Sequence, residues 1–308
     1  MQRESGDTLE RINPTARDIE ILNSLYRYGP LTTEHITELA FSNIKVERTR
    51  RNKSRDRLRK LYDHGYVDRD QLPRKDWEPK KPLIYFLGKK GAGLLADKRG
   101  ISISDLRWKS SDSKIKPIAL AHTIAVTDFM VTLELAVRGE QLEITRVINE
   151  KAFKRGGDAW KVKLPFETST GATSEGYLEP DQYFALENSK GQKAHFFLEI
   201  DLNTETLEYS STGDKTEKYK RRDISRKIRL YNSLHKTGTF NELYNANTFR
   251  VLFVTTSSER AKNMKAVADK SVDGANFYFT IFDFAKPDNL LFEDIWVVSN
   301  QDQPDSLL

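Results

Sequence analysis

The sequence contains no cysteine, and it has little that would suit a membrane. The lack of cysteine excludes disulfide bonds, cysteine-ligated zinc and a thiol nucleophile. We find no run that approaches the roughly 20 apolar residues of a membrane span, and the first residues lack the apolar segment of a secretory signal. Internal repeats and a Walker-type phosphate loop are also missing. We therefore expect a cytoplasmic protein with no membrane partner.

What the sequence has in abundance is charge, and the charge is unevenly distributed. Charged residues make up 31% of the chain. Residues 1–110 carry 24 Lys and Arg against 16 Asp and Glu, whereas the remainder carries 26 against 29. Such an asymmetry is typical of a protein in which one domain meets a polyanion. The sequence thus predicts a basic N-terminal module followed by a mildly acidic body.

Three helical patterns occupy the beginning of the basic module. The first covers residues 14–28, with Asn13 as the expected N-cap, Pro14 at the first helical position and Gly29-Pro30 as the stop. The second pattern follows a threonine cap and ends near residue 40. The third covers residues 46–64 and is closed by Gly65.

Positive charge dominates every face of the third helical pattern except the apolar one. Leu58, Leu61 and Tyr62 are its apolar anchors, and only Glu47 and Asp56 oppose its charge. A merely solvated face normally mixes both signs, so the pattern favours a DNA-contacting helix over a solvated one. The predicted DNA contacts in this stretch are Lys45, Arg48, Arg50, Arg51, Lys53, Arg55, Arg57 and Arg59.

A hairpin with a cationic loop is predicted after the basic helix. Residues 65–69 and 83–87 are typical of two short strands, and a helix follows over residues 94–98. The loop adds four predicted DNA contacts: Arg74, Lys75, Lys80 and Lys81. This order of helices and hairpin resembles the winged helix-turn-helix superfamily. The resemblance implies that the third helix enters the major groove of double-stranded DNA while the wing meets the backbone or the minor groove.

The rest of the chain has the pattern of a mixed α/β domain. Residues 102–117 have the composition of an exposed linker, and a long apolar helix is expected over residues 119–138. Strands are predicted over residues 142–147, 177–185, 194–201, 249–255, 277–282 and 295–298, with helices over 217–234 and 259–267. We therefore predict an N-terminal domain over residues 1–101, a linker over 102–117 and a second domain over 118–308.

Carboxylates at strand ends are the candidate chemical groups of the second domain. Asp181 begins one predicted strand, and Glu199 and Asp201 end another, on the same face because side chains alternate along a strand. Lys227 and Tyr231 share one helix face because they are four residues apart. The carboxylates suit a Mg²⁺ or Mn²⁺ site. The spacing alone slightly favours the alternative, ordinary strand-end residues exposed to solvent.

Several segments of the second domain, taken in order, resemble a known protein family. The segments LAHTIAVTDF, LEPDQYFAL, FFLEIDLNTET and ISRKIRLY follow the basic module. The carboxylate pattern resembles the PD-(D/E)XK nuclease superfamily, and the chain as a whole resembles the replication-relaxation family of plasmids and other mobile elements. The resemblance implies a restriction-endonuclease-like α/β domain with a mixed sheet.

The resemblance also implies roles for individual residues. Asp181 and Glu199 match the first two metal ligands, while Asp201 stands where active nucleases have lysine. Lys227, with Tyr231, is the candidate to replace that lysine from the helix; Lys215 and Lys218 are weaker candidates.

Three functions remain open from the sequence. The first, which we favour, is a DNA-binding accessory factor of plasmid or mobile-element replication, relaxation or mobilisation, with a degenerate nuclease-like domain. The second is a Mg²⁺-dependent endonuclease or nickase that the winged helix targets to DNA. The third is a transcriptional regulator. A homodimer and contacts with other replication or mobilisation proteins are further expectations.

Overall fold

The fold is given by a computed structural model that describes residues 12–71, 77, 81–106, 108–110, 115–149, 162–168, 171–203, 205–207, 223–270 and 276–308. The chain divides into two compact units, an N-terminal unit, Met1–Val131, and a C-terminal unit, Thr132–Leu308. The predicted α/β class with a mixed sheet is confirmed.

In the described part of the N-terminal unit, four helices lie wholly within it: α1 (Ala16–Tyr28), α2 (Thr33–Ala40), α3 (Glu47–Asp63) and α4 (Lys89–Arg99). The predicted start of α1 was wrong, because the N-cap is Thr15 rather than Asn13. Thr15 and Asp18 form a reciprocal capping box, in which each side chain accepts from the other residue's backbone N–H. This box starts the helix two residues later than Pro14 suggested.

A small antiparallel sheet accompanies these helices. Strands β1 (Leu31–Thr32), β2 (Val67–Gln71) and β3 (Leu83–Leu87) are ordered β1-β3-β2. The backbone of α4 approaches β2 so closely that a Cβ at Gly91 would collide with the carbonyl oxygen of Tyr66. The predicted order of helices and hairpin is present, and its assignment as a winged helix stays a prediction.

Helix α5 (Pro117–Val137) crosses the division between the units. Its stretch Ala119–Val137 has the length and hydropathy of a membrane span, contrary to the expectation that no such run exists. Half of that stretch is buried inside the protein, and the core helix of a soluble protein can have the same length and hydropathy. The helix is therefore weak evidence for a membrane, and the cytoplasmic location stays a prediction.

A six-stranded mixed sheet forms the centre of the C-terminal unit. Its strands are β4 (Leu142–Asn149), β7 (Gln182–Asn188), β8 (Lys193–Ile200), β9 (Arg250–Thr255), β10 (Asn276–Ile281) and β11 (Val297–Val298). The order is β11-β10-β9-β8-β7-β4, in which β8, β9 and β10 run parallel and the other pairs are antiparallel. β8 and β9 are nearly continuous apolar runs, as parallel strands covered on both faces require.

Among the described residues, three helices and a separate hairpin accompany this sheet in the C-terminal unit. The helices are α6 (Ile224–Lys236), α7 (Thr239–Tyr244) and α8 (Ser258–Asp269), and the hairpin consists of β5 (Val162–Glu167) and β6 (Thr173–Leu178). Ile228, Tyr231 and Met264 from the helices share a core with Phe197 and Phe253 from the sheet.

The single strand predicted over residues 177–185 was wrong. The chain forms β6 and β7 instead, with Glu179-Pro180-Asp181 between them, because proline has a fixed φ and no N–H to donate to a ladder. The structure also pairs β5 with β6 in an antiparallel hairpin, and the sequence had predicted no strand between residues 147 and 177. Of the predicted helix over 217–234, residues 217–222 lie outside the described part, and α6 begins after its N-cap Asp223.

Candidate functional site

The outward cations of α3 form the first candidate site. Arg48, Arg55 and Arg59 are exposed and follow the spacing i, i+7, i+11, which places them on one side of the helix within about 40° of each other at 3.6 residues per turn. We call these three the arginine stripe. Within the described part of the chain, none of the three is recorded in an ion pair or side-chain hydrogen bond. Lys45 and Lys53 are likewise exposed.

Arg57 has a different environment from the arginine stripe. Its Nε donates to Oδ1 of Asp18 at 2.7 Å, its Nη2 donates to Oδ2, and Nη2 also donates to the carbonyl of Asn13 at 3.2 Å. The Asp18 side chain is fully buried. Burial alone would raise the pKa of Asp18, but the hydrogen bonds from Arg57 and Thr15 outweigh it and hold that pKa below its ordinary value.

Two more predicted DNA contacts on α3 carry ion pairs within the protein. Arg50 Nη2 lies 3.1 Å from Oε1 of Glu38 on α2. Arg51 pairs at 2.6 Å with Glu47 one turn earlier, and both side chains are exposed. The exposed pair is weak and can open toward a ligand.

The structure describes the two strands of the predicted wing and only part of the loop between them. Arg74, Lys75 and Lys80 lie outside the described residues. Lys81 is half-buried at the start of the returning strand, and its carbonyl accepts a hydrogen bond from the side chain of Gln71. The wing's part in DNA binding stays a prediction.

The second candidate site lies where β7 begins and β8 ends. Asp181 is buried, and its Oδ2 accepts the backbone N–H of Ile200 at 2.8 Å. Glu199 accepts from Lys227 Nζ at Oε2 (2.8 Å) and from the Tyr231 hydroxyl at Oε1 (2.6 Å). Lys227 Nζ also lies 3.1 Å from Oε1 of Glu205. We call Asp181, Glu199, Glu205, Lys227 and Tyr231 the carboxylate cluster.

Burial controls the protonation of the carboxylate cluster. Burial raises the pKa of Glu199 to about 7, against the opposing effect of Lys227 and with a further increase from Asp181. Burial would lower the pKa of Lys227, but the charges of Glu199, Asp181 and Glu205 outweigh it and raise that pKa above its ordinary value. The surrounding carboxylates therefore favour the charged form of Lys227, while burial favours the protonated form of Glu199.

Asp201 has partners of its own beside the cluster. Its Oδ2 accepts from the Thr255 hydroxyl at 2.8 Å and from Arg260 Nε at 2.9 Å, and its Oδ1 accepts from Arg260 Nη2 at 3.3 Å. Arg260 also donates to the carbonyl of Glu205. Asp201 is thus held by an arginine.

The carboxylates as placed do not fit a divalent cation. Both oxygens of Glu199 are taken by Lys227 and Tyr231, and both oxygens of Asp201 are taken by Arg260. No group of three His, Asp or Glu residues that could hold a metal is found among the residues described. Metal ligation by Asp181, Glu199 and Asp201 stays a prediction. Lys215 and Lys218 lie outside the described residues.

Comparison with known families identifies the family of the chain. The family model described as Replication-relaxation matches residues 22–248, well over half of the chain. The chain belongs to the replication-relaxation family, which confirms the resemblance. Membership supports a role in the replication or relaxation of plasmids or other mobile elements. No curated protein and no solved structure is significantly similar to the chain.

Sequence reasoning missed several residues of both sites. Asp18 was missed because nothing in its spacing shows that Arg57, 39 residues away, binds it. Glu205 lies after β8 and pairs with Lys227, and Arg260 lies on α8, after β9, and pairs with Asp201. Only the pairing of β8 with β9 brings Arg260 near Asp201, and a single sequence does not reveal which strands are paired.

Proposed function

We propose that this chain is a double-stranded-DNA-binding accessory factor of plasmid or mobile-element replication, relaxation or mobilisation. Its N-terminal unit acts as a winged helix that places α3 in the major groove. The observation that carries the proposal is the arginine stripe, Arg48, Arg55 and Arg59, exposed along one side of α3.

The length and position of α3 support this function. Arg48 and Arg59 lie about 16 Å apart along the axis at 1.5 Å per residue, so the stripe can reach several successive phosphates or base edges. A helix fits the major groove, where the third helix of a winged helix-turn-helix lies. The two-stranded antiparallel pair β2–β3 follows α3 as a wing would.

We infer further that the C-terminal unit is a degenerate nuclease-like domain that does not cleave DNA. Two observations support this inference: Arg260 neutralises Asp201, and Glu199 has both oxygens occupied. Such a unit contributes a folded scaffold rather than a catalytic centre.

A metal-dependent endonuclease is the second candidate. The observation that favours it is the position of Lys227 on α6, whose Nζ lies 2.8 Å from Oε2 of Glu199. Lys227 could replace the lysine that active nucleases have at the position of Asp201. The carboxylates would have to exchange their present partners for the metal, so we rank this candidate below the first.

The test of DNA binding is a salt titration with a fluorescent mixed-sequence duplex. Wild type is compared with Arg48→Ala/Arg55→Ala/Arg59→Ala and with Lys262→Ala, a control on exposed Lys262 of α8. We expect the triple variant to bind more weakly and to lose about one unit of salt slope for each phosphate contact removed. Equal affinity and slope for all three proteins would refute DNA binding through α3.

The test of cleavage uses supercoiled plasmid with Mg²⁺ or Mn²⁺, with wild type beside Asp181→Asn. We expect DNA to be bound and not nicked by either protein. Nicking by wild type that disappears in Asp181→Asn would instead establish the endonuclease.

A further inference from the structure

We propose that Arg57 is a positioning residue: it sets the orientation of α3 by binding the buried carboxylate of Asp18, and it does not contact DNA. The proposal rests on the proposed function, because the orientation of α3 matters through the arginine stripe. It also divides the cations of α3 into two groups: one binds residues of the protein and orients the helix, and the other contacts DNA.

The geometry at Asp18 is that of an anchor. Arg57 binds both oxygens of Asp18 with the two prongs of its guanidinium, and the Thr15 backbone N–H and hydroxyl donate to Oδ2 at 2.6 and 2.8 Å. A two-pronged arginine–carboxylate contact fixes direction as well as distance. Since Asp18 caps the first turn of α1, Arg57 ties α3 to the N-terminus of that helix.

Two further contacts hold the inner side of α3. The Thr37 hydroxyl of α2 donates to the Ser54 hydroxyl at 2.8 Å, with both side chains buried. Arg50 pairs with Glu38, also on α2. Arg57 lies about 180° around the helix axis from Arg48 at 3.6 residues per turn. The anchor thus lies on the side of α3 opposite the arginine stripe.

A phosphate contact and an anchor have different signatures in a salt titration. Removal of a side chain that neutralises a phosphate lowers the salt slope of binding by about one. Removal of an anchor misplaces the stripe, which lowers the affinity but releases the same number of counterions at each remaining contact. Asp18 separates the two cases further, because its replacement removes no positive charge.

The experiment measures duplex affinity against salt concentration for the full chain and three variants: Arg57→Met, Asp18→Asn and Arg55→Met. We expect Arg57→Met and Asp18→Asn to bind about tenfold more weakly, a loss equivalent to about 1.4 kcal/mol, with the wild-type slope. Arg55→Met should lower the slope by about one. A lower slope for Arg57→Met together with wild-type binding by Asp18→Asn would overturn the proposal.

Arg57→Lys gives a milder variant in case Arg57→Met does not fold, as judged by circular dichroism. Lysine keeps the charge but lacks the two-pronged contact, so we expect Arg57→Lys to bind DNA more weakly with an unchanged slope. Full rescue of affinity by lysine would show that the charge alone matters, and it would overturn the positioning role.

Hydrogen exchange separates failure of this proposal from failure of the proposed function. If wild type bound no duplex, the proposed function would be wrong and the anchor would be judged by exchange alone. Faster exchange of the α3 amides in Asp18→Asn than in wild type would support the anchor, and unchanged exchange would overturn it.

Discussion

The two units each bury a carboxylate beside a cation, yet the two carboxylates have opposite properties. Asp18 in the N-terminal unit is fully buried, and its pKa lies below its ordinary value. Glu199 in the C-terminal unit is 1% exposed, and its pKa is raised to about 7. Burial opposes the charge of both groups, so the difference comes from their partners.

Those partners differ in number and geometry. Asp18 accepts from both prongs of Arg57 and twice from Thr15, and these bonds satisfy its negative charge. Glu199 pairs with the ammonium group of Lys227, which also pairs with Glu205, and the negative charge of Asp181 repels that of Glu199. The first arrangement favours the charged form of its carboxylate, whereas the second favours the protonated form.

The largest expected effect is the loss of stability when the Asp18 anchor is broken. Arg57→Met leaves a buried carboxylate unpaired, which costs about 3–5 kcal/mol in the free energy of unfolding. Arg51→Met, on the exposed pair with Glu47, is the matched control and should cost less than about 1 kcal/mol. Urea unfolding measures both, and equal losses would contradict the anchor's structural role.

A smaller loss is expected in the carboxylate cluster. Lys227→Met removes the cation beside Glu199, but Glu199 can then take up a proton at neutral pH instead of remaining charged. We expect about 1–3 kcal/mol, the cost of a buried acceptor left without its donor. A loss greater than that of Arg57→Met in the same urea experiment would reverse the comparison.

The pH dependence of stability should have opposite signs at the two sites. Because the pKa of Asp18 is lower in the folded state, Asp18 stabilises the fold at pH values above the ordinary carboxyl pKa of 3.8. This contribution is lost as the pH falls through the folded-state pKa. The raised pKa of Glu199 makes its contribution fall as the pH rises from about 4.5 to about 7.

The two signs are measured by thermal unfolding of wild type, Asp18→Asn and Glu199→Gln at pH values from below 3.8 up to about 7. The advantage of wild type over Asp18→Asn should vanish in acid, and wild type should lose stability relative to Glu199→Gln toward neutral pH. The same sign for both variants would show that the two carboxylates do not differ in the way described.

Local patterns in the sequence predicted those elements that depend on local physics. The apolar stripe of α1, the basic helix α3 and the runs of β8 and β9 follow from periodicity. The break at Pro180 was missed because the apolar residues continue across it, and the β5–β6 hairpin was missed because its strands are largely polar and exposed.

The candidate sites were predictable only in part. Helical spacing placed Lys227 and Tyr231 on one face, and the structure brings both to Glu199. Spacing could not show that Arg57 faces inward while Arg55, two residues earlier, faces outward, because that depends on the contact between α3 and α1. Spacing also could not show that Arg260 forms an ion pair with Asp201.

The most direct test of the account is hydrogen exchange of the full chain with and without duplex DNA. If α3 is the DNA-contacting element, amides of residues 47–63 should exchange more slowly when DNA is added, and this slowing should be absent from the Arg48→Ala/Arg55→Ala/Arg59→Ala variant. Bound DNA that slows exchange only within the C-terminal unit, and leaves α3 unchanged, would contradict the account.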